Sequence, residues 1–109
     1  MRKIGLILNL ATVLLVIGST PGSAQAFGDA IAGREIAAAW CAGCHRISAQ
    51  DRDVNRVPPD FGAIARMPSM TELALRVFLQ TPHGKMPRYQ FSPKEMDDIV
   101  AYVLGLGKQ

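Results

Sequence analysis

The motif Cys41-Ala42-Gly43-Cys44-His45 contains the only two cysteines of the chain. Two thiols separated by two residues and followed at once by a histidine suit a small number of chemistries. Three interpretations are open: a redox-active dithiol, part of a zinc site, or the attachment point of a covalently bound haem. Because each interpretation requires a different fold, this motif constrains the architecture more than any other feature of the sequence.

The N-terminus predicts the compartment in which these cysteines act. Two basic residues precede an apolar run over 4–17, and its length of about 14 residues suits a secretion signal better than a membrane span of about 20. The small-x-small pattern Ala24-Gln25-Ala26 predicts cleavage after Ala26. We expect 1–26 to be a cleaved signal peptide and 27–109 to be a periplasmic domain without a transmembrane anchor. An uncleaved N-terminal anchor is the alternative.

The charge of the chain argues against nucleic-acid binding. There are 12 Lys and Arg residues against 9 Asp and Glu, and two of the basic residues leave with the signal, so the mature charge is about +1. The basic residues occur singly and form no cluster or run. We therefore expect no nucleic-acid partner.

The mature chain is small for a self-supporting hydrophobic core. About 83 residues form a single domain that buries only a marginal apolar area. A disulfide between Cys41 and Cys44 would close so short a loop that it would restrain the unfolded chain very little. A bound cofactor would supplement the core more effectively.

Helix signals mark both ends of the mature chain. Asp29 is the predicted N-cap of a helix from about Ala30 to Cys41. Ser92 begins a predicted final helix, with a capping box and a proline in its first turn. No segment alternates as a strand does, so an all-α fold is predicted. The expected core face of the final helix consists of Met96, Ile99, Val100 and Val103.

The middle of the chain has less regular structure. Ser69 begins a predicted capping box for a helix that ends before Pro82. Between Arg46 and Pro68, about 22 residues predict only a short helical turn starting at Asp60. So long an irregular stretch is unusual in a small domain, unless it surrounds a flat apolar group. The apolar side of the predicted middle helix consists of Leu73, Val77 and Phe78.

The helical pattern separates the three interpretations of the cysteine motif. A thioredoxin-like dithiol needs a β-rich α/β domain, which this chain does not predict. A zinc site needs four ligands, and His83 is the only other good candidate outside the motif. Haem attachment uses the whole motif, because Cys41 and Cys44 can bond two vinyl groups of one porphyrin edge while His45 lies under the iron. The motif therefore favours haem c.

The mature chain as a whole resembles the class I c-type cytochromes, specifically the short bacterial monohaem members. Besides the motif, Gly33 is similar to the small residue at which the first and last helices of that family cross, with Ile99 and Tyr102 as the corresponding pair. The resemblance implies a cytochrome c fold, in which the first and last helices cross and the loops wrap around one covalently bound haem.

The resemblance also implies the residues around the haem. Pro59-Asp60-Phe61 is similar to the family's Pro-x-Leu segment, which implies that the Pro59 carbonyl accepts the Nδ1 proton of His45 and that Phe61 packs on the ring. The segment from Thr81 to Pro87 is similar to the second-ligand loop, which makes Met86 the distal axial ligand. The expected haem-binding residues are Cys41, Cys44, His45, Pro59, Phe61 and Met86, with His45 and Met86 bound to the metal.

Other residues compete with Met86 for the iron. Met67 also precedes a proline, and ligation by His83 would give a bis-histidine iron of lower potential. Met96 is expected to pack in the core instead. Met86 is favoured because prolines and a glycine stiffen its loop, which lies between two capped helices and can present a side chain to a fixed metal.

Three further residues lie next to these segments in the sequence. Trp40 is expected to be a partly buried helix residue rather than an electron relay. Tyr89 and Arg88, which follow the Met86 loop, are candidates for a hydrogen bond to a haem propionate.

An iron whose two axial positions are filled by the protein can change oxidation state but has no open site for a substrate. The resemblance implies a periplasmic electron carrier rather than an enzyme, in the form of a monomer that docks transiently with redox protein donors and acceptors. One alternative is a haem c subunit of a periplasmic dehydrogenase or oxidase complex. The other is a haem-based gas sensor or peroxidase with a labile Met86.

Overall fold

The computed structural model describes residues 28–109. In this part of the chain the all-α class is confirmed, since four helices and no strand are present. None of these helices is long and apolar enough to cross a membrane. The predicted signal peptide and its cleavage after Ala26 lie outside the described residues. The helices are α1 (Ala30–Trp40), α2 (Phe61–Ala65), α3 (Glu72–Gln80) and α4 (Pro93–Leu106).

Side-chain caps determine where α1 and α4 begin, and both predicted starts are confirmed. The Asp29 carboxylate accepts hydrogen bonds from the backbone N–H groups of Ile31 and Ala32, at 2.8 and 3.3 Å. The Ser92 hydroxyl accepts from the Glu95 N–H at 3.3 Å, and the Glu95 carboxylate accepts from the Ser92 N–H at 2.8 Å. Both helices therefore begin with otherwise unpaired backbone donors satisfied.

The start of α3 differs from the prediction. Its N-cap is Thr71, whose hydroxyl accepts from the Ala74 N–H at 3.1 Å, so the capping box predicted to begin at Ser69 is wrong. Thr71 carries the same capping group two residues closer to the first helical turn. The side of α3 that was predicted to be apolar is more than half exposed, and Leu75 is the residue of this helix that enters the core.

Helix α4 is the centre of the fold, because α1, α2 and α3 all pack against it. Its predicted core face is confirmed, and the buried side also includes Tyr102 and Leu106. Partly buried residues from the irregular stretch and from the segment before α4, including Ile47 and Phe91, pack against the same cluster. The buried residues of the predicted face are Met96, Ile99, Val100 and Val103.

The crossing of α1 and α4 requires glycine at position 33. A Cβ atom placed on Gly33 would overlap the carbonyl oxygen of Asp98 and would lie 2.9 Å from the Tyr102 Cβ. The expected small-residue crossing is therefore present, with Tyr102 opposite as predicted. The nearest backbone atoms belong to Asp98, the neighbour of the predicted Ile99.

A buried carboxylate connects the beginning of α1 to α4. Asp98 accepts a hydrogen bond from the Asp29 N–H at 2.8 Å and another from the Lys94 ammonium at 2.6 Å. The hydrogen bond from Lys94, followed by that from Asp29, lowers the pKa of Asp98 from its usual value. The ionised form of Asp98 is therefore the form that stabilises the fold.

We expect Gly33→Ala to lower the free energy of unfolding by about 1–3 kcal/mol, because the added methyl overpacks the crossing. Gly105→Ala is the matched control, since a Cβ atom at Gly105 meets nothing within 4 Å. Alanine there should stabilise α4 by up to about 1 kcal/mol through its helix propensity. Denaturant unfolding measures both effects, and equal changes in the two variants would contradict the close approach.

We expect the stabilisation by Asp98 to depend on pH. Because its folded-state pKa is lowered, the contribution is present above the unfolded pKa of about 3.9 and is lost as the pH falls through the folded value. The difference in unfolding free energy between wild type and Asp98→Asn should therefore be largest near neutral pH and should shrink below about pH 4. Unfolding curves across this range test it, and a pH-independent difference would contradict it.

Candidate functional site

The cysteine motif forms a turn directly after α1. The Cys41 N–H still donates to the helical carbonyl of Ala37, at 2.8 Å. The N–H groups of Cys44 and His45 then both donate to the Cys41 carbonyl, at 3.1 and 2.9 Å. Cys41 is buried and Cys44 is exposed. The backbone hydrogen bonds of this turn are all local, so the residues next to the motif supply its backbone geometry.

The chemistry of Cys41 does not suit a redox dithiol. Burial raises the pKa of the Cys41 thiol to about 11, because desolvation disfavours the thiolate. Reactive Cys-x-x-Cys sites depend on a lowered thiol pKa. A zinc site finds no support either, since residues 28–109 contain no group of three His, Cys, Asp or Glu side chains arranged to hold a metal ion.

The imidazole of His45 is oriented by the irregular stretch that precedes α2. Its Nδ1 lies 2.7 Å from the carbonyl oxygen of Pro59, which is the contact implied by the resemblance. A carbonyl oxygen can only accept, so Nδ1 carries the proton and Nε2 keeps its lone pair. This tautomer can coordinate a metal through Nε2. Phe61, which begins α2, packs on the imidazole with the ring centroids 5.2 Å apart.

Arg56 joins the two backbone segments that hold the imidazole. Its Nη1 donates to the carbonyl of Cys44 at 2.9 Å and to that of Pro58 at 3.1 Å. The same nitrogen lies 3.6 Å from Oδ1 of the buried Asp60, which has no hydrogen-bond partner within the described residues. The other oxygen of Asp60 accepts from the Asp53 N–H at 3.0 Å. Arg56 could not be predicted as part of the site, because a single arginine in an irregular stretch carries no motif or periodic signal.

Met86 lies in the loop between α3 and α4. Gly84 has a φ of +51°, in the left-handed region that favours glycine, and the Met86 N–H donates to the His83 carbonyl at 3.2 Å. Met86 is half-buried. Together with the end of α3, the loop lines a shallow pocket. Its lining includes Phe78, Leu79, Pro82, His83, Met86 and Pro87.

The competing ligands lie in different surroundings. The exposed His83 donates from Nδ1 to the Thr81 carbonyl at 2.8 Å and packs edge-on against Phe78, with centroids 5.6 Å apart. Met96 is buried in the core face of α4, as predicted. Met67 is exposed and lies in the turn before α3.

Trp40 is more exposed than expected, and Tyr89 has a hydrogen-bond partner at the end of α1. Trp40 is 59% exposed rather than partly buried. The Tyr89 hydroxyl donates to the Trp40 carbonyl at 2.9 Å. This bond satisfies one of the last carbonyls of α1, which have no partner within the helix. A hydrogen bond from Tyr89 or Arg88 to a haem propionate stays a prediction.

The described residues fit a flat apolar group that contains a metal ion. His45 offers an imidazole nitrogen in the correct tautomer, and Met86 offers a thioether. The exposed apolar side chains of α3 provide a surface whose burial under an apolar ligand is favourable. These side chains are Leu73, Val77 and Phe78.

Comparison with known proteins agrees with this chemistry. The family model described as cytochrome c oxidase, cbb3-type, subunit III matches residues 28–103. The chain belongs to the c-type cytochromes. The matched region contains the cysteine motif, the proline segment and the Met86 loop, so the predicted family is confirmed.

A curated relative supports the same conclusion over almost the whole chain. Cytochrome c-552 of Bradyrhizobium diazoefficiens is 35% identical over 97 residues, which cover 88% of this chain and 93% of that protein. No solved structure is significantly similar to the chain. Membership of the c-type cytochromes gives this protein a covalently bound haem c and an electron-carrier function.

Proposed function

We propose that this cytochrome is a periplasmic electron carrier with a single haem c, attached through Cys41 and Cys44 and ligated by His45 and Met86. The observation that carries the proposal is the 2.7 Å contact between His45 Nδ1 and the Pro59 carbonyl. It fixes the tautomer that leaves Nε2 for the iron, and such a contact also increases the basicity of a ligating imidazole.

When bound, the haem supplies a one-electron iron couple. Cys41 and Cys44 retain it through thioether bonds, and Phe61 supports the imidazole of His45 from the side. The thioether sulfur of Met86 favours ferrous iron relative to a second histidine, which raises the reduction potential. His45 and Met86 together would leave no open position on the iron for a substrate, so we propose electron exchange with redox proteins that dock transiently on a monomer, and no enzymatic activity.

We also propose that 1–26 is a cleaved signal peptide and that 27–109 is the single cytochrome domain. The basic residues, the short apolar run and the Ala24-Gln25-Ala26 pattern support export. The family model begins to match at residue 28, directly after the proposed cleavage site. Export also agrees with the c-type cytochromes as a class, whose members are typically exported.

A haem c subunit of an oxidase complex is the second candidate, because the matching family model is described as a subunit of a cbb3-type oxidase. The match to cytochrome c-552 favours the carrier, since the aligned region covers nearly all of both chains. Size-exclusion chromatography of the native protein separates the two candidates. A free monomer supports the carrier, and a stable complex supports the subunit.

We expect the exported protein to begin at Phe27 and to be heavier than its polypeptide by the mass of one haem. Intact-mass spectrometry under denaturing conditions measures this, because a covalent haem stays on the chain. Replacing both Cys41 and Cys44 with serine should release the haem in the same experiment. An unmodified wild-type chain with a Cys41–Cys44 disulfide would contradict the proposed attachment.

We expect Met86→Ala to abolish the weak visible absorption band of sulfur bound to ferric iron, because it removes the distal ligand. Met67→Ala and His83→Ala are the matched controls and should keep the band. Loss of the band in Met67→Ala but not in Met86→Ala would show that a different loop supplies the ligand.

Carbon monoxide binding tests the same ligand set in the ferrous state. Wild type should bind carbon monoxide slowly, because Met86 must first leave the iron, and Met86→Ala should bind it rapidly. Stopped-flow absorption at neutral pH compares the two. Rapid, tight binding by wild type would refute the carrier and favour the gas sensor or peroxidase alternative.

A further inference from the structure

We infer that Tyr89 is a positioning residue for Met86. Its hydroxyl forms a hydrogen bond to the end of α1, which restrains the Met86 loop and thereby slows the departure of the Met86 side chain from the iron. This inference rests on the proposed ligation by Met86, and it adds a residue that neither the cysteine motif nor the ligand set contains.

One long-range hydrogen bond connects the segment after Met86 to α1. The Tyr89 hydroxyl donates to the Trp40 carbonyl at 2.9 Å, across 49 positions of the sequence. Trp40 is the last residue of α1 and precedes Cys41 directly. Tyr89 follows Met86 by three positions, and the intervening Pro87 restricts the backbone. The bond therefore connects the Met86 loop to the start of the cysteine turn.

The Trp40 carbonyl is a natural acceptor for this hydroxyl. The last carbonyls of a helix have no intrahelical partner and must be satisfied from outside. At the end of α1, the Ala37 carbonyl accepts from the N–H groups of Cys41 and Ala42, at 2.8 and 2.9 Å. Tyr89 supplies the donor for Trp40, so it satisfies the end of α1 while it holds the loop.

The Tyr89 ring is held in the orientation that this bond needs. It stacks on Phe91, with centroids 5.5 Å apart and an interplanar angle of 27°. Phe91 in turn packs against the hydrophobic core. On the other side, the Tyr89 ring meets the Trp40 ring edge-on at 6.0 Å. Because the ring is fixed by these neighbours, little conformational entropy is lost when the hydroxyl forms its bond.

The hydrogen bonds of the loop upstream of Tyr89 are local, from His83 to the Thr81 carbonyl and from the Met86 N–H to the His83 carbonyl. Residues 82–88 lie outside regular secondary structure, and most of them are exposed. Segments of this kind open locally at a lower free-energy cost than the core. If Met86 left the iron by movement of its loop, the bond from Tyr89 to α1 would oppose that movement.

The test is Tyr89→Phe, which removes the hydroxyl and keeps the aromatic ring. A typical net hydrogen bond corresponds to about a two- to tenfold change in an equilibrium. We expect carbon monoxide to bind ferrous Tyr89→Phe about two to ten times faster than wild type. The sulfur-to-iron band of the ferric variant should disappear at a lower temperature. Amide hydrogen exchange over 83–89 should be faster in the variant, which reports on the loop independently of any ligand.

The matched control is Asp29→Ala, which removes the N-cap at the opposite end of α1. This variant also loses a hydrogen bond at an end of α1, so it lowers the overall stability of the fold. It should leave the carbon monoxide rate and the exchange of 83–89 unchanged. Equal acceleration in Asp29→Ala and Tyr89→Phe would overturn the positioning role, because general destabilisation would then explain both. Unchanged rates in Tyr89→Phe would overturn it as well.

The proposed ligation and the role of Tyr89 can fail separately. If Met86→Ala keeps the sulfur-to-iron band, the ligand assignment is wrong and the inference falls with it. If Met86→Ala loses the band and Tyr89→Phe behaves like wild type, the ligand assignment stands and only the inference is overturned.

Discussion

The close contact between α1 and α4 at Gly33 is the constraint on which the rest of this cytochrome depends. The cysteine turn begins where α1 ends, and α2 and α3 are both placed by their packing on α4. Arg66 connects α2 to the C-terminal end of α4. It donates to the carbonyls of Gly62, Leu106 and Gln109, at 2.7, 3.0 and 2.9 Å. Each segment that carries a proposed haem contact is thus positioned relative to one helix pair.

In the irregular stretch before α2, side chains donate hydrogen bonds to backbone carbonyls that a helix or sheet would otherwise pair. Buried backbone carbonyls need hydrogen-bond donors, and here several of the donors are side chains. His45 donates to Pro59, Arg56 to Pro58, and Arg52 to Ala49, at 2.7, 3.1 and 3.1 Å. A long segment without secondary structure therefore keeps a defined path, and the imidazole is held as part of it.

Local chemistry explains which features could be predicted from the sequence. The caps at Asp29 and Ser92 and the spacing of the cysteine motif involve neighbouring residues, so a short window contains them. Thr71 was missed because two hydroxyl residues lie near the same helix start, and local preference does not choose between them. Arg56 was missed for another reason, and so was the bond from Tyr89 to Trp40. Their partners are backbone carbonyls, and because every residue has one, the amino-acid pattern does not show which carbonyl accepts.

The local hydrogen bonding of the cysteine turn also affects the order of folding. Contacts between α1 and α4 join residues such as Gly33 and Asp98, and closing so long a loop costs conformational entropy before the contact repays it. The turn needs no such closure, because Cys44 and His45 bond to the Cys41 carbonyl only three and four positions away. The turn that contains both cysteines can therefore form before the contact between α1 and α4, which would make the proposed covalent attachment of the haem separable from completion of the fold.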